Sequence, residues 1–147
     1  MKRWMICLTL LGLFFLQGCK EESSIVYGNG YQSDLKAKAE DLDGYILDSG
    51  TYKLHIEDDH MIVIGKISSN NPVTGESDKH VLDEIFEAQG MKPFDSIFEE
   101  YDDVKIKTKG NVYTISVNDF SIQFLKFKEH ILVDKNGHEY IRNKLPK

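Results

Sequence analysis

The sequence predicts an α+β domain: a short N-terminal helix and hairpin, one or two central helices, and a C-terminal antiparallel meander. Two observations carry that expectation. Apolar residues recur at helical spacing over 33–42, over 78–89 and again from 95, whereas beyond Asp103 the apolar period is two. Lys109-Gly110-Asn111 and Asn136-Gly137 then punctuate the second half as hairpin turns, with glycine where φ must be positive.

Taken in order, Met1 to Cys19 comes first. Lys2 and Arg3 form a positive start, Trp4 to Leu16 is apolar, and Gly18 is a small residue just before Cys19. Charge, apolar run and small residue in that order are the pattern of a secretory signal. A membrane-spanning helix needs ~20 apolar residues, and this run is shorter. Leu16-Gln17-Gly18-Cys19 resembles the lipobox of bacterial lipoproteins. The resemblance implies cleavage before Cys19, diacylation of its thiol, and a membrane anchor. With Lys20 rather than aspartate next, it further implies the outer membrane, facing the periplasm, in a Gram-negative host. Cys7, preceded by bulky Ile6 within the apolar run, does not compete.

Residues 1–18 are therefore expected to be a cleaved signal, 19–33 a lipidated tether, and 34–147 a single domain. The charges, serines and Gly28-Asn29-Gly30 of the tether are poor helix and strand material. Ser33 or Asp34 can cap a helix whose inner face is Leu35, Ala39 and Leu42, with Gly44 as its stop. Tyr52, Leu54 and Ile56 alternate with Lys53, His55 and Glu57, and His60 to Ile67 returns as the second strand of a hairpin. Residues 68–77 form a polar loop. Asp78 is placed to cap a helix reaching Gln89, with Val81, Leu82, Ile85 and Phe86 as its stripe and Gly90 as its end. A second helix is expected from Asp95, with Ile97, Phe98 and Tyr101 inward. Strands follow at 104–108, 112–117, 120–127, 131–134 and 138–142.

Removing Lys2 and Arg3 with the signal takes the formal charge from −6 to −8. Such a chain repels nucleic acid, so a charged partner is expected to be basic. Both cysteines lie in or at the end of the signal, which excludes disulfides, cysteine catalysis and thiolate metal sites from the mature domain. No G-x-S-x-G, P-loop or dinucleotide fingerprint is present. Asp134 to Glu139 looks like the start of a calcium loop but ends too early, and is read as a turn.

Two clusters bear chemistry. His55 and His60, with Glu57, Asp58 and Asp59 between them, combine imidazole and carboxylate donors suited to zinc or copper. Asp95, Glu99, Glu100, Asp102 and Asp103, interleaved with Phe98 and Tyr101, form an acidic run. Glu99, Asp102 and Asp103 are the residues expected to dock a basic partner. The expected function is a lipid-anchored, non-enzymatic envelope module without a cofactor, binding a basic envelope or secreted protein as an inhibitor or immunity protein does. The alternatives are a hydrolase of an envelope polymer using those carboxylates, or a metal-binding periplasmic lipoprotein.

Overall fold

Nine antiparallel strands form one sheet in the computed structural model, which describes residues 27, 30–69 and 78–147. They are β1 (Tyr45–Asp48), β2 (Tyr52–Glu57), β3 (His60–Lys66), β4 (Ser96–Tyr101), β5 (Lys105–Lys109), β6 (Val112–Ser116), β7 (Ser121–Lys128), β8 (Ile131–Asp134) and β9 (Glu139–Lys144). The spatial order is β4-β3-β2-β1-β9-β8-β7-β6-β5. Two meanders are thus joined where the first strand meets the last, with Tyr45 opposite Lys144 and Asp48 opposite Ile141.

The sheet curls into a half-barrel. Period-two patterning decides what each face receives. Tyr52, Leu54, Ile56, Met61, Val63, Tyr113, Ile115, Ile122, Phe124 and Tyr140 point into the hollow and are buried. Helix α1 (Val81–Ala88), the one α-helix among the described residues, adds Leu82 and Phe86 to that core. A second cluster lies on the outer face, where Val112, Leu125 and Val133 are covered by Tyr27 with Tyr31 at its margin. Tyr31 hydroxyl also donates to Glu139 Oε1 at 2.8 Å.

The architecture is therefore almost entirely β, which corrects the α+β expectation in three places. Residues 32–38 form no helix; only Ala39–Asp41 makes a single 3-10 turn. Ser33, Leu35 and Ala37 are the more buried positions and their neighbours are exposed, so the segment is an extended strap rather than a helix. It is held by the sheet: Ala37 N–H donates to Gly110 O, and Asn111 Nδ2 to Ser33 O. The strap passes around the β5–β6 turn, from the outer cluster at Tyr31 to the inner core at Ala37 and Leu42.

The second correction is β4. Apolar residues at 97, 98 and 101 suit either period, and the open edge of β3 decides between them. Pairing runs from Met61 opposite Tyr101 to Lys66 opposite Ser96. Ile97 is consequently buried while Phe98 points outward, 63% exposed. The third is β1, which has four residues and too short a pattern to declare itself; β2 and β9 hold it on both sides. The β2–β3 hairpin, α1 and the hairpins from β5 to β9 lie where the spacing placed them. The cap of α1 falls on His80 rather than Asp78, and Asp83 Oδ2 accepts the His80 N–H at 2.7 Å.

Candidate functional site

The acidic residues singled out by sequence occupy one rim of the half-barrel. Glu99 and Glu100 sit on β4, and Asp102 and Asp103 form the turn leading to β5. All four are exposed. Asp103 holds φ at 54°, a left-handed conformation that aspartate accepts at a tight turn. Ile64, opposite Phe98 on the outer face, is 36% exposed, and Phe94, just before β4, is 65% exposed. The Lys66 ammonium lies 5.9 Å from the Phe94 ring centre. Among the described residues, three of the four exposed large apolar side chains thus gather at this rim, beside four carboxylates; the fourth, Ile141, is on β9.

Glu99, Glu100, Asp102 and Asp103 all face water, and the rim sets these exposed carboxyl groups beside exposed aromatic surface.

The register places His55, Glu57 and His60 on one face, because Glu57 is paired with His60 and His55 with Ile62. Sequence alone left the direction of His60 open. Its Nδ1 turns to Asp102 Oδ1 at 2.8 Å, joining the β2–β3 hairpin to the acidic rim. Among the described residues, no three histidine, aspartate or glutamate side chains converge as a metal site. His60 belongs instead with the rim.

Two polar centres that the sequence did not disclose lie beneath the surface. In the first, Asp83 is fully buried and accepts four contacts at the start of α1. Tyr52 hydroxyl donates to its Oδ1 at 2.7 Å, and Ser68 N–H to the same oxygen at 2.8 Å. His80 N–H reaches Oδ2 at 2.7 Å, with His80 Nδ1 at 3.6 Å. Burial alone would raise this carboxyl; the contacts from His80, Tyr52 and Ser68 outweigh it and bring the pKa down to about 2. The same arrangement, burial first and the hydrogen bond to Asp83 second, drives the Tyr52 phenol far above its ordinary value. The His80 ring stacks on His138 at 3.8 Å, and His138 Nε2 lies 3.4 Å from Asp78 Oδ1. Asp134, also fully buried, accepts the Val81 N–H at 3.1 Å and folds the β8–β9 turn by accepting from Asn136 and His138 N–H. Among the described residues Asp83 is sealed and His80 is 6% exposed. The centre is a lock that fastens α1 to β2, β8 and β9.

The second centre fastens the strap. Lys126 Nζ, 6% exposed at the residue level, meets Asp41 Oδ2 at 2.9 Å and the Lys36 carbonyl at 3.3 Å. Tyr113 hydroxyl donates to the same Asp41 oxygen at 2.6 Å, and Lys38 N–H at 3.0 Å. Arg142 donates to the Asp41 carbonyl and lies over the Tyr45 ring at 4.4 Å. Burial opposes the Asp41 charge, yet Tyr113, Lys126 and the Lys38 amide hold its carboxyl below the usual range. Neither centre has a sequence signature, because their members lie far apart in the chain. Only Asp83, three residues after His80 and ahead of an apolar stripe, carries the spacing of a helix-capping residue.

Cys19, the expected lipid attachment point, lies outside the described residues. No protein-family model, no curated protein and no solved structure matches this chain.

Proposed function

We propose that the chain is a lipid-anchored cell-envelope lipoprotein, acylated at Cys19, whose half-barrel binds a basic envelope or secreted protein without catalysing a reaction on it. The observation that carries this reading is the order of positive charge, apolar run, Gly18 and Cys19 in the first nineteen residues. The rim supports the binding half of the proposal. Glu99, Asp102 and Asp103 supply a negative field that steers a basic partner, and Phe94 and Phe98 supply apolar anchors. A domain charge of −8 without the signal favours the same sign of partner. An inhibitor that neutralises an incoming basic toxin at the membrane is one form such a module takes.

The test is photocrosslinking in intact cells from a reactive amino acid placed at Phe98 or at Asp102. A discrete adduct with a basic protein is the expected result. It should weaken when Glu99, Asp102 and Asp103 are together changed to their amides. Absence of any protein adduct from either position, with the chain present at its normal level, would count decisively against the binding reading.

A further inference from the structure

Among the described residues the half-barrel has two unpaired edges, β4 and β5, and they are finished differently. An exposed edge strand invites pairing with another chain, and proteins blunt such edges with lysine, proline or a cover. The β5 edge is blunted. Lys105, Lys107 and Lys109 are all exposed along its five residues. The β4 edge has no lysine or proline, and among the described residues nothing pairs with its outer side. It exposes Phe98 instead, with Ile64 beside it and Phe94 just before it.

The ladder shows which groups of β4 are available. Ile67 N–H donates to the Asp95 carbonyl at 3.0 Å, so 67 and 95 are a hydrogen-bonded pair. In an antiparallel ladder such pairs alternate. Gly65 with Ile97, Val63 with Glu99 and Met61 with Tyr101 are then the bonded pairs. Ser96, Phe98 and Glu100 therefore aim their N–H and C=O groups away from β3. That is a three-residue template at the spacing an incoming strand requires.

We propose that the partner docks by adding an extended, basic segment to β4 as a tenth strand. The inference rests on the binding reading above and specifies its mode. Backbone bonds to Ser96, Phe98 and Glu100 supply register. Basic side chains of the segment lie beside Glu99 on one face, and apolar ones cover Phe98 and Ile64 on the other. The carboxylates select the occupant. A second copy pairing β4 against β4 about Phe98 would set Glu99 across from Ile97 and Glu100 across from Ser96, so it brings no cation to either carboxylate. The formal charge of −8 on each mature copy sets the two chains against each other as well.

The experiment uses the full chain in detergent micelles and a fluorescent octapeptide of alternating lysine and valine, followed by anisotropy and by amide hydrogen exchange. The peptide should bind and slow exchange at Ser96, Phe98 and Glu100 at least tenfold, while an alternating glutamate–valine peptide should do neither. Phe98→Pro, which deletes an outward N–H, should weaken binding at least tenfold relative to Phe98→Ala. As a readout independent of protein folding, lysine–valine peptides N-methylated at alternate amides should bind on one phase of methylation and fail on the other. Equal binding by both phases, or no binding of the unmodified peptide, overturns strand addition. Slow exchange of the β4 amides in the chain alone would show the edge already covered, and dimers protected at β4 would show a second copy there; either result also overturns it. If crosslinking from Asp102 recovers a basic protein and Phe98→Pro leaves that adduct unchanged, the partner stands and this mode of docking falls.

Discussion

Asp83 is the residue on which most of the buried polar order depends. It accepts hydrogen bonds from Tyr52, Ser68 and His80 while fully shielded from water, so its removal strands several donors at once. Asp83→Ala is expected to cost about 3–5 kcal/mol, the range for breaking a buried charge network, read from urea denaturation at neutral pH. The pH dependence has a definite sign. Its folded pKa of about 2 lies below the value of about 3.9 for an unfolded aspartate, so the stabilisation is fully present above pH ~4. It is lost as pH falls from there towards 2, and amounts to about 2–3 kcal/mol. The stability gap between the native chain and Asp83→Asn should narrow by that amount between pH 5 and pH 2. A constant gap would remove Asp83 from the role assigned to it. Gly65 tests the same centre from the side. A Cβ there would meet Tyr52 Cδ1 at 2.3 Å and the Thr51 carbonyl at 2.8 Å, so the ring that donates to Asp83 must move. Gly65→Ala should destabilise by about 1–3 kcal/mol, and Tyr52→Phe in that background should cost less than it does alone. The sequence shows a histidine and an aspartate three apart at a helix start, but not that Tyr52 and His138 arrive beside them.

At the level of elements, legibility followed the length of the pattern and the number of faces buried. The β2–β3 hairpin and the run from β5 to β9 could be read because alternation persists between turns whose glycines hold positive φ, 58° at Gly110 and 86° at Gly137. Helix α1 could be read because Leu82 and Phe86 recur at helical spacing over a full stripe. β1 and β4 were hidden for a different reason: each is a strand because a neighbour's unpaired edge recruits it, and that is not a local property. The strap was hidden likewise. Leu35, Ala39 and Leu42 fit a helix, but the competing interactions are with Gly110, Asn111 and Lys126 on distant strands. This last attachment has a measurable consequence. Lys126→Met leaves Asp41 charged, shielded and without its cation, and is expected to cost about 3 kcal/mol or more. Lys126→Met with Asp41→Asn removes both charges and should recover part of that loss. Urea midpoints of the two single variants and the double variant complete the cycle; purely additive losses would show that the pair does not act as a unit.

For the molecule as a whole, the structure changes the distance between the fold and its expected anchor. Counted as a tether to Ser33, residues 20–33 could extend ~45 Å from the lipid. Tyr27, however, is 4% exposed in the outer cluster, so seven positions, 20–26, lie between Cys19 and the first described packed residue. Seven residues span at most ~25 Å, so a lipid on Cys19, as proposed, would hold the half-barrel within that reach of a membrane surface. The proposed anchor rests on one sulfur. Each buried methylene contributes ~0.8 kcal/mol, so one acyl chain holds weakly and a diacylglyceryl group holds firmly, without a membrane-spanning helix. Under the proposed anchoring, Cys19→Ser removes the thiol that would accept the lipid, while Tyr27, the first described residue, keeps its place in the outer cluster. The variant is expected to lose palmitate label entirely and to leave the membrane fraction, while its thermal unfolding midpoint stays within about 1 °C, as for a substitution outside the packed structure. Retention of both label and membrane association by Cys19→Ser would show that the anchor lies elsewhere. Loss of label with a large fall in the unfolding midpoint would show instead that the residues before Tyr27 are part of the fold.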